Sequence, residues 1–284
     1  TTGMVSGVVS GTCNITYSTG TGCFTTKSIS VNPLPYSYSL TGGGMYCAGG
    51  TGLPINLSGS QSGISYQMYF GGFPAGSALT GTGSALSFGI FTSVGAYTLM
   101  ATNTLTGCVK AIGSITVGTN PLPLVYNVTG GGGYCPGGTG THVSLSMSQT
   151  GIMYQLYANG VAVGAAVAGT GLSIDFGTQT IAGTYTVVGT NLTTGCTKNM
   201  NGSVNVSISP LPNTFSVTGP TTPVCAGGTG FHIGLSGSVT GVQYQVFQGS
   251  LAVGSAMTGT GAPLDFGLFT GGGTYTVKAT DPIT

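Results

Sequence analysis

Charge is almost missing from this chain. Of its 284 residues, four are basic (Lys27, Lys110, Lys198, Lys278) and three acidic (Asp175, Asp265, Asp281), with no Arg, Glu or Trp. An average soluble domain is about 25% charged; this chain is 2% charged. Without a basic patch to neutralise phosphates, nucleic acid is excluded as a partner. Three carboxylates and two His leave almost nothing for acid–base chemistry. Disorder is excluded too, because it goes with high charge and low hydrophobicity, and 40% of this chain is hydrophobic. No apolar run approaches the roughly 18 residues of a spanning helix, so no membrane insertion is expected in this segment. Gly is abundant at 55 residues, yet without the G-X-Y period of collagen.

What the chain does have is repetition. Pro-Leu-Pro recurs at Pro33–Pro35, Pro121–Pro123 and Pro210–Pro212. Each is followed by a Cys and glycines: Cys47-Ala-Gly-Gly-Thr-Gly, Cys135-Pro-Gly-Gly-Thr-Gly and Cys225-Ala-Gly-Gly-Thr-Gly. Tyr66-Gln, Tyr154-Gln and Tyr244-Gln come next, then Gly81-Thr-Gly, Gly169-Thr-Gly and Gly259-Thr-Gly, and last Tyr97-Thr, Tyr185-Thr and Tyr275-Thr. A period of 88–89 residues exceeds a solenoid repeat and suits one small sandwich per copy.

Within a copy the hydrophobic period is two. Ile64, Tyr66 and Met68 share one face, with Ser65, Gln67 and Tyr69 on the other, and Tyr97, Leu99 and Ala101 alternate with Thr98, Met100 and Thr102. Such alternation marks half-buried strands of a two-sheet core. Position 100 reads Met, then Val188, then Lys278, which makes it solvent-facing. We expect about seven strands per repeat, roughly 36–42, 52–59, 63–70, 75–80, 84–90, 95–103 and 108–117. The fold class is therefore all-β: tandem immunoglobulin-like sandwiches in a linear string. The expected domains are 1–32 (the end of a different domain), 33–120, 121–209 and 210–284, with Pro-Leu-Pro stiffening each seam.

The first segment, Thr2 to Tyr17 with its Gly-Val-Val-Ser-Gly-Thr-Cys-Asn-Ile-Thr-Tyr, resembles the C-terminal half of a bacterial Ig-like group 2 domain. The later copies, with Asn-Pro-Leu-Pro, Tyr-Cys-x-Gly-Gly-Thr-Gly, Tyr-Gln-x-Tyr, Gly-Thr-Tyr-Thr-Val and Thr-Gly-Cys, resemble Ig-like repeats of giant cell-surface proteins of the Bacteroidota. That family is exported by the type IX system and includes the SprB-like gliding adhesins. The resemblance implies an extracellular, cell-surface adhesin or filament stalk.

The seven Cys carry the clearest site signal. Cys47 and Cys108 are 61 residues apart, as are Cys135 and Cys196, so one disulfide inside each repeat is expected. Closing such a loop would stabilise a domain by about 4 kcal/mol on the chain-entropy model, and secreted domains use such staples. Cys13 and Cys23 flank a hairpin turn and are expected to pair across it. Free buried thiols are the competing reading; zinc fits poorly, without Cys-x-x-Cys or clustered His. The partner of Cys225 would fall two positions beyond Thr284, which implies that this chain is an excerpt lacking its third repeat's last strand.

His142 and His232 match Pro54 of the first repeat and read as surface residues. Asp175 and Asp265 match Ser87, too few carboxylates for calcium. The tri-glycines read as turns, since no Lys-Ser/Thr follows to complete a phosphate loop. No catalytic residue, metal or cofactor is expected. The function that follows is structural or adhesive, through self-association, further repeats of the same polypeptide, or contact with glycans or abiotic surfaces. The alternative is a carbohydrate-binding array accessory to a secreted enzyme, for which Tyr69, Tyr157 and Phe247 are the candidate contact aromatics. Ice binding needs a flat Thr-x-Thr array that an 88-residue spacing does not supply.

Overall fold

A computed structural model describes residues 5–282. Among them the chain forms only strands, turns and loops, and it divides after Leu122 into two compact units. In the first, β1 (Gly11–Ser18) and β2 (Phe24–Val31) make a two-stranded hairpin. They are followed by β3 (Leu40–Gly42), β4 (Gly44–Cys47), β5 (Leu53–Leu57), β6 (Ile64–Phe70), β7 (Phe73–Pro74), β8 (Leu79–Thr80), β9 (Leu86–Phe91), β10 (Gly95–Asn103) and β11 (Val109–Asn120). One sheet is β3-β5-β9; the other is β4-β11-β10-β6-β7, with β8 also on β6.

The second unit repeats this plan. It contains β12 (Val128–Gly130), β13 (Gly132–Tyr134), β14 (Thr141–Leu145), β15 (Ile152–Ala158), β16 (Val161–Ala168), β17 (Ile174–Gln179), β18 (Gly183–Asn191), β19 (Thr197–Asn199) and β20 (Val204–Ile208). Their sheets are β12-β14-β17 and β13-β20-β18-β15-β16, with β19 on β18. The third repeat has β21 (Val217–Thr218), β22 (Phe231–Leu235), β23 (Gln243–Gln248), β24 (Leu251–Thr258), β25 (Leu264–Phe269) and β26 (Tyr275–Thr280). These form sheets β21-β22-β25 and β24-β23-β26. The chain is thus a tandem array of Ig-like β-sandwiches.

The core follows the period-two reading. Ile55 and Leu57 of one sheet meet Ile64, Tyr66, Met68, Tyr97, Leu99 and Ala101 of the other, all buried. Val143, Leu145, Ile152, Tyr154, Leu156, Tyr185 and Val187 repeat the arrangement. Met100 and Val188 are half-buried on the outer face and Lys278 is exposed.

Two strand expectations need correction. Residues 36–42 do not form one strand; the chain switches sheets at Gly42-Gly43-Gly44, whose φ values are 92°, 60° and 105°. A Cβ on Gly42 would lie 2.0 Å from the Pro54 carbonyl oxygen, so only glycine fits. Beyond the switch, β4 pairs in parallel with β11. Gly130-Gly131-Gly132 does the same before β13 joins β20. These tri-glycines are strand switches rather than simple turns. The 75–80 strand is also broken: Pro74 leaves only β7 and β8 on that edge, where the later repeats have the eight-residue β16 and β24.

The recurring motifs are local hydrogen-bond locks. The backbone N–H of Gln61 donates to the buried Tyr66 hydroxyl at 3.0 Å, and Gln149 and Val239 do the same to Tyr154 and Tyr244 at 2.9 Å. Beside each, a buried Ser hydroxyl (Ser60, Ser148, Ser238) donates to a loop carbonyl and accepts from the Thr of Gly-Thr-Gly. The leading Gly81, Gly169 and Gly259 sit so close to the opposite backbone that a Cβ would meet a carbonyl oxygen at 2.0–2.1 Å. Tyr97, Tyr185 and Tyr275 donate to the carbonyl four residues upstream at 2.7–3.0 Å. This is the tyrosine corner of immunoglobulin-like domains.

Replacing Tyr154 with Phe leaves the Gln149 amide unpaired at a buried corner. A destabilisation of about 1–3 kcal/mol is expected, read as a lower denaturant midpoint with unchanged m. An unchanged midpoint would show that the lock contributes nothing.

Candidate functional site

The cysteines do not pair as their spacing suggests. Cys108 and Cys135 carry free thiols, as do Cys13, Cys23 and Cys225, whereas Cys47 and Cys196 are disulfide-bonded. The expected Cys47–Cys108, Cys135–Cys196 and Cys13–Cys23 bonds are therefore absent, and strand register explains why. Cys47 lies opposite Asn120 at the end of β11, while Cys108 immediately precedes the start of that 12-residue strand. At about 3.3 Å per residue the two stand roughly 40 Å apart, far beyond the ~7 Å Cα separation that a disulfide tolerates. Cys135 follows Tyr134, which pairs with Ile208 at the end of β20, while Cys196 precedes β19 at the other end. Cys13 faces Ile29, and Cys23 lies beyond the Ser18–Phe24 pair, roughly 17 Å further along. Equal spacing in two repeats thus marks equivalent positions at opposite ends of a sandwich. The expected partner of Cys225 lies outside the sequence; Cys225 itself is exposed.

His142 and Asp175 are each exposed, as expected, but they act together. His142 Nδ1 lies 2.7 Å from Asp175 Oδ2, and His232 pairs with Asp265 at the same distance. Both residues of the pair are missing from the first repeat, where Pro54 and Ser87 stand. That joint presence and absence was the sequence signal for the contact. The Gly177 amide, and then His142, hold the Asp175 carboxyl below its usual range. For Asp265 the His232 contact leads, and the Gly267 amide adds to it. Next to His232 and Asp265 an open groove of about 700 Å³ is lined by Phe231, Pro220 and Pro263. Among the described residues, no three His, Cys, Asp or Glu come together as a metal site.

Tyr69, Tyr157 and Phe247 point away from the cores, as the alternation requires, and each is half-buried. Tyr69 pairs across strands with Thr98, Tyr157 with Thr186 and Phe247 with Thr276, so each repeat presents an aromatic beside a hydroxyl. The glutamine between the two aromatic positions of Tyr-Gln-x-Tyr has a structural task. Gln155 Nε2 donates to the Val163 carbonyl at 3.0 Å, and Gln245 to that of Val253 at 2.9 Å. This braces the bulge where the outer edge strand shifts register.

No protein-family model and no curated protein matches the chain. Similar solved structures include the human OSCAR ligand-binding domain, 13% identical over 62% of this chain and 97% of that one, with a TM-score of 0.27. Sidekick-1 immunoglobulin domains 1–4 match at 12% identity over 88% of this chain and 70% of that one, with a TM-score of 0.28. Sidekick-1 domains 1–5 match at 13%, over 91% and 60%, with a TM-score of 0.26. At such values these likenesses add nothing to what the strand order and tyrosine corners establish.

Two outcomes follow. Alkylation without reductant, read by peptide mass mapping, should label Cys13, Cys23, Cys108, Cys135 and Cys225 and leave Cys47 and Cys196 unlabelled; protection of Cys108 or Cys135 would contradict the register argument. Because Asp175 and Asp265 have lowered pKa values when folded, the stability they contribute is present above the unfolded carboxyl value of about 3.9. It is lost as pH falls below that value through the folded pKa. Melting temperature should therefore drop slightly more steeply below that pH for the parent than for a D175N/D265N variant.

Proposed function

We propose that this chain is a structural and adhesive segment of a long extracellular bacterial surface filament of the Bacteroidota type, exported by the type IX route and akin to the SprB-like gliding adhesins. It acts without catalysis. The observation that carries this reading is one sandwich plan built repeatedly along the chain, with the same buried locks and a changing outer face. Such an arrangement invests sequence in spacing and surface. Disulfide bonding of Cys47 and Cys196 supports an oxidising, extracytoplasmic location. A surface of hydroxyls and glycine at net charge +1 has little self-repulsion, which favours association with like surfaces. The domains proposed are 1–32, 33–120, 121–209 and 210–284. The aromatic–threonine pairs at Tyr69, Tyr157 and Phe247 favour a second reading, in which the array binds neutral saccharides beside an enzyme.

Protease treatment of intact cells that make the protein tests the location. Loss of the repeats without lysis is expected; protection until lysis would overturn the surface assignment. Equilibrium binding to a polysaccharide panel separates the two readings. Saturable binding that a Y69A/Y157A/F247A variant loses would favour the second.

A further inference from the structure

One long side of the first sandwich carries an aromatic groove. β7 ends one of its sheets and β9 ends the other, and an open groove of about 480 Å³ runs between them. Phe70 and Phe73 line it from one sheet, and Phe88, Ile90 and Phe91 from the other. Tyr97 is the buried member of the lining, with the Phe70 and Phe91 ring centroids each 4.8 Å from its own. Phe73 and Ile90 are 77% and 62% exposed. The groove lies wholly within residues 70–97, in a repeat whose closing strand β11 is in place.

The repeat plan alone does not make this groove. Phe70 and Phe91 stand where the second repeat has Ala158 and Gln179, and Ile90 where it has Thr178. Gln179 is buried, and its side chain donates to the Phe176 carbonyl at 3.0 Å. In the third repeat the Phe269 ring reaches the edge strand, where a Cβ on Gly254 would lie 3.3 Å from it. A Cβ on the matching Gly76 would meet nothing within 4 Å, so the space between Phe91 and the edge is left open. Thr92 and Ser93 complete the lining. Their turn is pinned, since the Tyr46 hydroxyl donates to the Thr92 carbonyl at 2.7 Å and the Tyr97 hydroxyl to that of Ser93 at 3.0 Å. Ser93 supplies a hydroxyl where the later repeats have Ile181 and Gly271.

We propose that this groove binds a short stretch of a neutral saccharide chain, with the C–H faces of its sugar rings on Phe73, Ile90 and Phe91 and its hydroxyls on Thr92 and Ser93. Charge decides against an ionic ligand. No Asp, Lys or His lines the groove, so a charged group would lose water and gain no counter-charge. The open side decides against a wholly apolar ligand, which would keep its outward surface in water. A saccharide has an apolar face for the rings and hydroxyls for both the rim and the solvent. The volume falls within the range of small-ligand sites. The stacked rings and the pinned turn are set before binding, so little ordering is needed. This rests on the saccharide-binding reading and deepens it, naming a site in one repeat that is distinct from the aromatic–threonine pairs.

Calorimetric titration of the whole chain with cellotetraose, maltotetraose and mannotetraose tests this, with tetragalacturonate as the charged comparison. Saturable binding of at least one neutral probe is expected, with Kd below about 1 mM, and weaker binding of the galacturonate. Phe73→Ala changes an exposed side chain and should weaken binding at least about fivefold, with an unchanged denaturant midpoint. An I90T/F91Q variant installs the residues with which the second repeat already folds, Thr178 and Gln179, and should act in the same direction. Val161→Ala, at the matching exposed position of the second repeat, should leave the affinity as it is. Binding that F73A and I90T/F91Q both leave unchanged overturns the groove and leaves the saccharide reading standing. Tightest binding of tetragalacturonate overturns the proposal, as does failure of all three neutral probes. In either case the polysaccharide panel with the Y69A/Y157A/F247A variant still decides the broader reading.

Discussion

Each sandwich depends on one buried tyrosine hydroxyl. Tyr66, Tyr154 and Tyr244 put their rings into the core, and their hydroxyls accept the amide of the chain crossing from one sheet to the other. Burial pushes the phenols of Tyr66 and Tyr154 up from their usual pKa, so they stay neutral. With almost no charge available, such chains of backbone and hydroxyl partners must fix the relation of the sheets, and a buried polar group left unpaired would be costly. The neighbouring serine and the glycine of Gly-Thr-Gly serve the same corner. One lets the loop be pinned, and the other lets two backbones approach without a Cβ between them.

The sandwich was legible because its signals are local. Alternation placed Ile64, Tyr66, Met68, Tyr97, Leu99 and Ala101 in the core, and comparing Met100, Val188 and Lys278 placed the outer face. The strand switch at Gly42–Gly44 was not legible as such, because glycine runs read equally as turns; which sheet each half joins is a long-range matter. The cysteine pairing failed for a related reason. Separation in sequence is the same whether two residues lie side by side or at opposite ends of a 12-residue strand. Only the parallel pairing of β4 with β11 decides between these.

The His–Asp pairs show a middle case. Each residue alone had a bland surface reading, and that reading of exposure holds. The pairing lay in the joint replacement of His142 and Asp175 by Pro54 and Ser87 in the first repeat, a correlation visible inside one chain. Surface pairs of this kind contribute little to stability. Their effect is to place the repeats' few carboxylates beside an imidazole, so that later repeats differ from the first in surface chemistry while keeping its core.

The parallel pairing of β4 with β11, and of β13 with β20, also governs how a repeat responds to tension. The strand near the entrance and the strand at the exit lie side by side and run the same way. A pull on the two ends slides one along the other, so their ladder hydrogen bonds bear the force together in shear instead of opening one at a time. The tri-glycine that moves the chain between sheets therefore also places a mechanical clamp across each completed sandwich.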